Sequence, residues 1–83
     1  MRRVKEYQLV DHFITRGTIP LGFDDVASGV GKTPADAIQA ALDLLSDRGW
    51  NVEGLISQIL GERDWERAIS VHGASYFVSV YVR

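Results

Sequence analysis

The feature that most constrains this chain is one amphipathic helix with clear start and stop signals, between Thr33 and Gly49. Thr33 suits the N-cap, and Pro34 suits the first helical position because no backbone N–H is needed there. Apolar residues then repeat with the spacing of one helical face, at Ile38, Ala41, Leu42 and Leu45. A glycine at position 49 is typical of a left-handed C-terminal stop. The sequence therefore predicts a helix over 34–48 that must bury one face.

A second helix is predicted over 52–60. Asn51 is a good N-cap, Trp50 before it can pack on Leu55, and Gly61 ends the segment. The apolar positions again share one helical face, at Val52, Leu55, Ile56, Ile59 and Leu60. Two helices joined by so short a connection should lie side by side on the same face of a sheet.

Four segments have the character of strands, at 4–15, 23–30, 68–71 and 76–82. The second is the weakest, because its aspartates and its serine–glycine pair are poor strand formers. A hairpin loop is predicted at 72–75. The last strand is the clearest, because Tyr76, Val78, Val80 and Val82 alternate with the residues of the other face.

These elements predict a single α+β domain over 1–83, with the order β-β-α-α-β-β. The simplest packing is a two-layer sandwich, in which both helices cover one face of a mostly antiparallel sheet of three or four strands. With 83 residues the core is thin, since a domain this small buries only about 60% of the surface that its unfolded form exposes. Association with a second copy or with another protein would support such a fold.

Composition excludes several classes of protein. The chain has no cysteine, so neither disulfides nor thiolate metal sites hold the fold together. No apolar run approaches the roughly 20 residues of a membrane-spanning helix, and the basic N-terminus lacks the apolar region of a signal peptide. We therefore expect a cytoplasmic protein. The formal net charge of −2 gives no general attraction to nucleic acid or to anionic lipid.

The second face of the C-terminal strand carries Phe77 and Tyr81, and the two helices would leave this face open. Aromatic side chains on an open sheet face are candidate contact residues, and Tyr7 on the first strand joins them. The alternative is that all three are scattered surface aromatics, which monomers commonly expose. The first hypothesis is a non-enzymatic interaction module without a cofactor. It would form a homodimer through this face or through the edge of an outer strand, or bind another protein.

The stretch Gly29-Val30-Gly31-Lys32-Thr33 contains part of a phosphate-binding loop. The full pattern requires four residues between its two glycines, and Val26 occupies the position of the first glycine here. A helix cap is therefore the preferred interpretation of this stretch. The backbone N–H groups at such a helix end can still hold an anion.

The basic residues Arg2, Arg3, Lys5 and Arg16 lead to a second hypothesis, a nucleic-acid-binding accessory protein. Binding of nucleic acid needs a basic face, and these residues could form a local one near the N-terminus. The acidic total opposes this hypothesis, and a solvated chain end explains the same residues. The joint between the two helices, at 48–51, also lacks the second glycine of the Gly-x-x-Gly loop in a KH domain.

A third hypothesis, a small enzyme or metal protein, rests on Asp11, His12, Asp24, Asp25 and His72. Such sites require these residues to converge, and their spacing matches no ligand motif. The chain has no cysteine nucleophile, and no serine, histidine and aspartate stand in the sequence context of acyl-transfer enzymes. A solvated turn and structural histidines explain the same residues, so we expect no enzyme.

Two resemblances rest on the helix and the residues around it. The segment 23–45, together with the terminal strand at 76–83, resembles small uncharacterised α/β proteins of phage and plasmid accessory genomes, which have no assigned activity. That resemblance implies an accessory role and no particular chemistry.

Gly31, Thr33 and the helix with Ala37 and Ala41 resemble the N-terminal domain of HicB-type antitoxins. This resemblance implies dimerisation and binding to a toxin protein. The chain departs from that family in placing a second helix where the family returns to a strand. The family's C-terminal DNA-binding segment is also absent, so repressor activity is not implied.

Overall fold

The computed structural model describes residues 2–11, 21–61 and 76–83. In chain order its elements are β1 (Arg2–Arg3), β2 (Tyr7–Asp11), β3 (Asp25–Gly31), α1 (Pro34–Asp47), β4 (Trp50–Asn51), α2 (Leu55–Leu60) and β5 (Tyr76–Val82). The α+β class predicted from the sequence is confirmed. The strand predicted at 68–71 and the hairpin loop predicted at 72–75 lie outside the described residues.

The described strands form a three-stranded antiparallel sheet and a separate parallel pair. In the sheet, β5 lies in the centre and pairs with β2 on one side and β3 on the other. Tyr7 and Asp25 both lie opposite Val82, on either side of β5. The parallel pair joins β1 to β4, with Arg2 opposite Trp50. This pair was not predicted, because two-residue strands carry no alternation that a sequence can reveal.

One core cluster contains buried residues of both helices and of the sheet. On β5 the four residues of the predicted inner face are buried, and Val78, Val80 and Val82 are inaccessible to solvent. The other members come from β3, both helices and β4: Ala27, Ala37, Ile38, Ala41, Leu42, Leu45, Trp50, Leu55 and Ile59. The amphipathic pattern of the first helix and the alternation of the last strand therefore predicted their core residues. Of the five apolar positions predicted for the second helix, Leu55 and Ile59 are buried and the other three are partly buried.

Helix α1 has the predicted caps. The Thr33 hydroxyl oxygen accepts a hydrogen bond of 3.1 Å from the backbone N–H of Asp36, and Pro34 begins the helix. The helix ends at Asp47, one residue earlier than predicted, and Gly49 follows with φ +95°. Because an L side chain is strained in this left-handed conformation, glycine is the residue that such a stop requires.

Helix α2 begins at Leu55, three residues later than predicted, and Asn51 is not its N-cap. Asn51 belongs to β4, and its side chain accepts a 3.3 Å hydrogen bond from the backbone N–H of Glu53. Gly54 then takes the N-cap position with φ +77°, and because glycine has no side chain this helix start has no side-chain cap. The strand pairing of Asn51 with Arg3 holds it in an extended conformation, so the helix cannot start there.

The strand predicted over 4–15 is interrupted before Tyr7. The backbone N–H groups of Lys5 and Glu6 both donate to the carbonyl oxygen of Arg83, at 2.6 Å and 3.0 Å. Two consecutive donors on one carbonyl are typical of a β-bulge, which bends the chain and separates β1 from β2. Residues 12–15 of the predicted strand lie outside the described residues.

Strand β3 owes its close packing under α1 to two glycines. A Cβ atom on Gly29 would lie 2.1 Å from the carbonyl oxygen of Ala37 and 2.6 Å from the nitrogen of Ala41. A Cβ on Gly31 would lie 2.5 Å from the nitrogen of Ala37. Gly29, which together with Ser28 weakens the strand pattern, is therefore one of the two glycines that let the helix backbone approach the strand. Both glycines lie within β3, and only Lys32 and Thr33 separate that strand from the helix.

We expect Gly29→Ala to destabilise the fold, because the new methyl group overlaps the α1 backbone and must push the helix away. Overpacking of this kind costs about 1–3 kcal/mol or more in the free energy of unfolding. Gly61→Ala is the matched control, since a Cβ there would lie 3.4 Å from its nearest neighbours and φ is −78°. Urea denaturation of both variants measures the difference. Equal stabilities for the two variants would contradict the packing role of Gly29.

Candidate functional site

Among the described strands, β3 lies at an edge of the sheet, and the backbone groups of every second β3 residue face away from β5. Glu6 and Arg83 exchange two backbone hydrogen bonds, of 3.0 Å and 3.1 Å, so the backbone groups of Arg83 face β2. Because these groups alternate in direction along an antiparallel strand, the backbone groups of Tyr81, Ser79 and Phe77 also face β2. Their opposite residues on β3 therefore cannot bond to β5. These residues are Val26, Ser28 and Val30, and we call their outward N–H and C=O groups the outer edge of β3.

One end of this outer edge is occupied. The carbonyl oxygen of Val26 accepts a hydrogen bond of 2.7 Å from Nη1 of Arg48. The N–H of Val26 donates to Oδ1 of Asp25 at 2.8 Å. In the described part of the chain, the outward groups of Ser28 and Val30 have no such partner. The open length of the outer edge is thus confined to the second half of the strand.

Apolar side chains flank the open part of the outer edge on the face away from the helices. Val26, Val30 and Phe77 are 39%, 61% and 36% exposed. Val10 and Ser79 lie on the same face and are buried. The exposed apolar surface therefore lies on the β3 side of this face rather than at its centre.

On the helix side, one exposed apolar residue, Leu44, flanks the outer edge, and it lies between the charged residues Asp36 and Arg48 of the same flank. Arg48 follows Leu44 by one helical turn, so the two residues lie on the same flank of α1. Since Arg48 reaches the outer edge at Val26, this flank is the one above β3. Leu44 is 44% exposed there. The outer edge of β3 thus has exposed apolar side chains above it and below it.

Asp25 connects the start of β3 to the chain beyond α1. Its Oδ2 accepts from the indole N–H of Trp50 at 2.9 Å, and its Oδ1 accepts from Arg48 at 2.9 Å as well as from the Val26 N–H. Burial alone raises the pKa of the Asp25 carboxyl, but the hydrogen bonds of Trp50 and Val26 and the charge of Arg48 outweigh it. The net effect is a pKa below the usual range, so this carboxylate serves as a fully paired structural anion.

The three aromatic residues predicted as contacts do not form one patch. Phe77 lies opposite Val30 and belongs to the exposed surface beside β3. Tyr81 is on the same face, and its ring meets that of Phe23 edge-on, with the centroids 6.2 Å apart. Tyr7 lies on the other face, where it packs against the core.

The residues of the nucleic-acid hypothesis come together in part. Arg2, Arg3 and Lys5 line one cleft, and Arg83 joins them there although the sequence did not suggest it. Arg16 lies outside the described residues. Arg2, Arg3 and Lys5 are all exposed, so they are solvated as well as lining the cleft.

Among the described residues, the candidate acid–base residues do not converge. Asp24 lies 3.9 Å from Arg2, whereas the adjacent Asp25 bonds to Arg48 and Trp50. The side chain of Asp11 and both histidines, His12 and His72, lie outside the described part. Within the described ranges, no group of three or more His, Cys, Asp or Glu residues could hold a metal ion. No helix among these residues is long and apolar enough to cross a membrane.

Sequence reasoning missed the residues that define the outer edge. Val26 and Val30 alternate with small residues in β3, and this alternation was the available signal. No local sequence pattern indicates the role of Arg48, because its partners lie 22 and 23 residues earlier in the chain.

Comparisons with family models, with curated proteins and with solved structures find no match to this chain.

We expect Asp25→Asn to destabilise the protein at neutral pH by about 1–3 kcal/mol, because it leaves donors of Arg48 or Trp50 without an acceptor. The lowered pKa of Asp25 stabilises the fold above the pKa of the unfolded state, about 3.9. That contribution is lost as the pH falls through the lower pKa of the folded state.

The stability gap between the natural protein and Asp25→Asn should therefore narrow on acidification. Urea denaturation from pH 7 to pH 3 measures it, with Asp24→Asn as the control, since Asp24 has only a surface ion pair of 3.9 Å. A gap that stays constant over this pH range would refute the role of the Asp25 charge.

Proposed function

We propose that this protein is a non-enzymatic interaction module that forms a homodimer by pairing the outer edges of β3 from two copies. The observation that carries the proposal is the open half of this edge, at Ser28 and Val30, with exposed Val30 and Leu44 beside it. The underlying arrangement would be the predicted two-layer sandwich, with both helices on the face opposite Val30.

The backbone supports an antiparallel pairing centred on Gly29. In this register Ser28 of one copy lies opposite Val30 of the other, and each such pair exchanges two N–H···O=C hydrogen bonds. The two-fold symmetry repeats the pair, which gives four hydrogen bonds in total. The same two residues of each copy supply every donor and acceptor, as a symmetric interface requires.

The side chains along the edge present no obstacle to this pairing. Natural edge strands are commonly protected from association by charged residues or by proline. Residues 26–31 of this chain contain neither. In the proposed register the exposed Val30 of one copy lies beside Ser28 of the other, on the face away from the helices. The apolar surface at Val30 and Phe77 would then continue across the junction.

The occupied end of the edge favours a second copy over an extended peptide. A peptide that added to β3 would gain most by pairing along the whole strand. Asp25 and Arg48 already satisfy the outward groups of Val26, so such a peptide would have to displace them. A symmetric pair centred on Gly29 needs only the residues that are open.

For the biological process that the homodimer serves, the two family resemblances are the only guide. Likeness to the N-terminal domain of HicB-type antitoxins suggests a second protein as a further partner. Likeness to phage and plasmid accessory proteins suggests a cytoplasmic accessory role. The homodimer itself is argued from β3 alone and does not depend on either resemblance.

We expect Val30→Glu to abolish the dimer, because it places carboxylates from the two copies close together across the symmetry axis. Leu21→Glu is the matched control. Leu21 is 92% exposed and precedes the occupied end of β3, so the same change there should leave the dimer intact. Light scattering across the micromolar to millimolar range measures the mass, which should rise from 9.2 kDa toward twice that value in the natural protein.

Hydrogen exchange supplies a second measurement of the same interface. The amide protons of Ser28 and Val30 should exchange more slowly as the protein concentration rises, whereas that of Val26 should not change. A natural protein that stays at 9.2 kDa throughout, or a Val30→Glu variant that dimerises equally well, would overturn the proposal.

A further inference from the structure

We propose that the basic cleft beside β1 binds a phosphate group, carried by a small molecule or by a nucleic acid. The cleft has a volume of about 280 Å³ and is lined by Arg2, Arg3, Lys5, Asp24, Trp50 and Arg83. Four of these six residues are cations, although the chain as a whole has a formal net charge of −2. The cleft adjoins the start of β3, away from the open half of its outer edge, so this inference is independent of the proposed homodimer.

Arg2 is held in place by contacts that leave its charge available. Its guanidinium carbon lies 4.3 Å from the centre of the Trp50 ring, and the ring itself is buried. The backbone N–H of Arg2 donates to the carbonyl of Gly49 at 2.8 Å. Stacking on an aromatic face orients a guanidinium group while its N–H groups remain directed outward in the plane. Part of the entropy cost of ordering the side chain is thus met before a ligand arrives.

Arg83 also lines the cleft and is held in place by contacts of its own. Its Nε and Nη2 donate to a carboxylate oxygen of Glu6. Its guanidinium carbon lies 5.1 Å from the centre of the Phe23 ring. Its Nη1 lies 3.4 Å from the carbonyl oxygen of Gly22. Two arginines from distant parts of the chain are therefore presented to one cavity.

The remaining cations are not committed to the fold. Arg3 and Lys5 are exposed, and within the described residues their side chains make no hydrogen bond or ion pair. The one acid in the lining, Asp24, lies 3.9 Å from Arg2, and both side chains are more than half exposed. Such surface pairs contribute little, so Asp24 competes weakly with an incoming anion. The uncompensated charge in the cleft is positive.

The chemistry of the lining favours phosphate over an aromatic ligand. Guanidinium groups match the oxygens of phosphate with paired hydrogen bonds, and an ammonium group adds a point charge. Trp50 is only 3% exposed, so its ring cannot stack with a nucleic-acid base. Recognition at this cleft therefore involves the phosphate and not the base.

Titration of ¹⁵N-labelled protein with inorganic phosphate, followed by NMR at constant ionic strength, tests the site. We expect saturable shifts of the backbone amide signals of Arg2, Arg3 and Arg83. Lys5→Gln should weaken the affinity by about fivefold or more, because it removes a charge-assisted contact without disturbing a contact of the fold. Lys32→Gln is the matched control, since it removes an exposed cation outside the cleft. The affinity is read only from the amide signals of Arg2, Arg3 and Arg83, so an anion held at the helix N-terminus beside Lys32 does not enter it, and the control should leave the affinity unchanged.

Two further probes distinguish the sources of the phosphate. A nucleoside monophosphate that binds while single-stranded DNA without terminal phosphates does not would identify a small molecule. If the DNA shifts the same amide signals at a lower concentration than phosphate does, the ligand is a nucleic-acid backbone. The proposal fails if none of the three probes gives saturable shifts. It fails equally if Lys32→Gln weakens binding as much as Lys5→Gln, which would indicate general screening of charge.

Discussion

The close contact between α1 and β3 is the constraint on which the rest of the structure depends. Gly29 and Gly31 present no Cβ to the helix, and backbone atoms of Ala37 and Ala41 occupy the space that a Cβ would need. The helix backbone can therefore lie directly over a strand at the edge of the sheet. As a result α1 extends to the margin of the fold, where its exposed residue Leu44 lies near the free side of that strand.

The Asp25 carboxylate connects this margin to the remainder of the chain. It accepts hydrogen bonds from Val26 on its own strand, from Arg48 beyond the helix and from Trp50 in β4. One paired anion thus joins three parts of the sequence and closes the first half of the outer edge of β3. The same contacts that stabilise the fold define how much of the edge is open to a partner.

Charge is distributed unevenly over the molecule. Residues 26–31 along the edge are uncharged, whereas four cations gather around the cleft beside β1. The bulge at Lys5 and Glu6, where two N–H groups share the Arg83 carbonyl, brings the two ends of the described chain together and so concentrates this charge. A net charge of −2 therefore conceals a local positive surface. The proposed dimer edge and the proposed anion site lie on separate parts of the described structure.

The sequence by itself determined the elements whose signals are local. The first helix starts at the cap formed by Thr33 and Pro34 and stops before Gly49, and the alternation of 76–82 defined the central strand and its buried face. These signals are readable because caps and periodicity act over a few residues. Tertiary structure decided the rest. Asn51 entered a strand with Arg3 instead of capping a helix, and Gly29 served helix packing, since their partners are distant in sequence. The outer edge and the basic cleft likewise exist only where the fold joins residues as far apart as Val26 and Arg48, or Arg2 and Arg83.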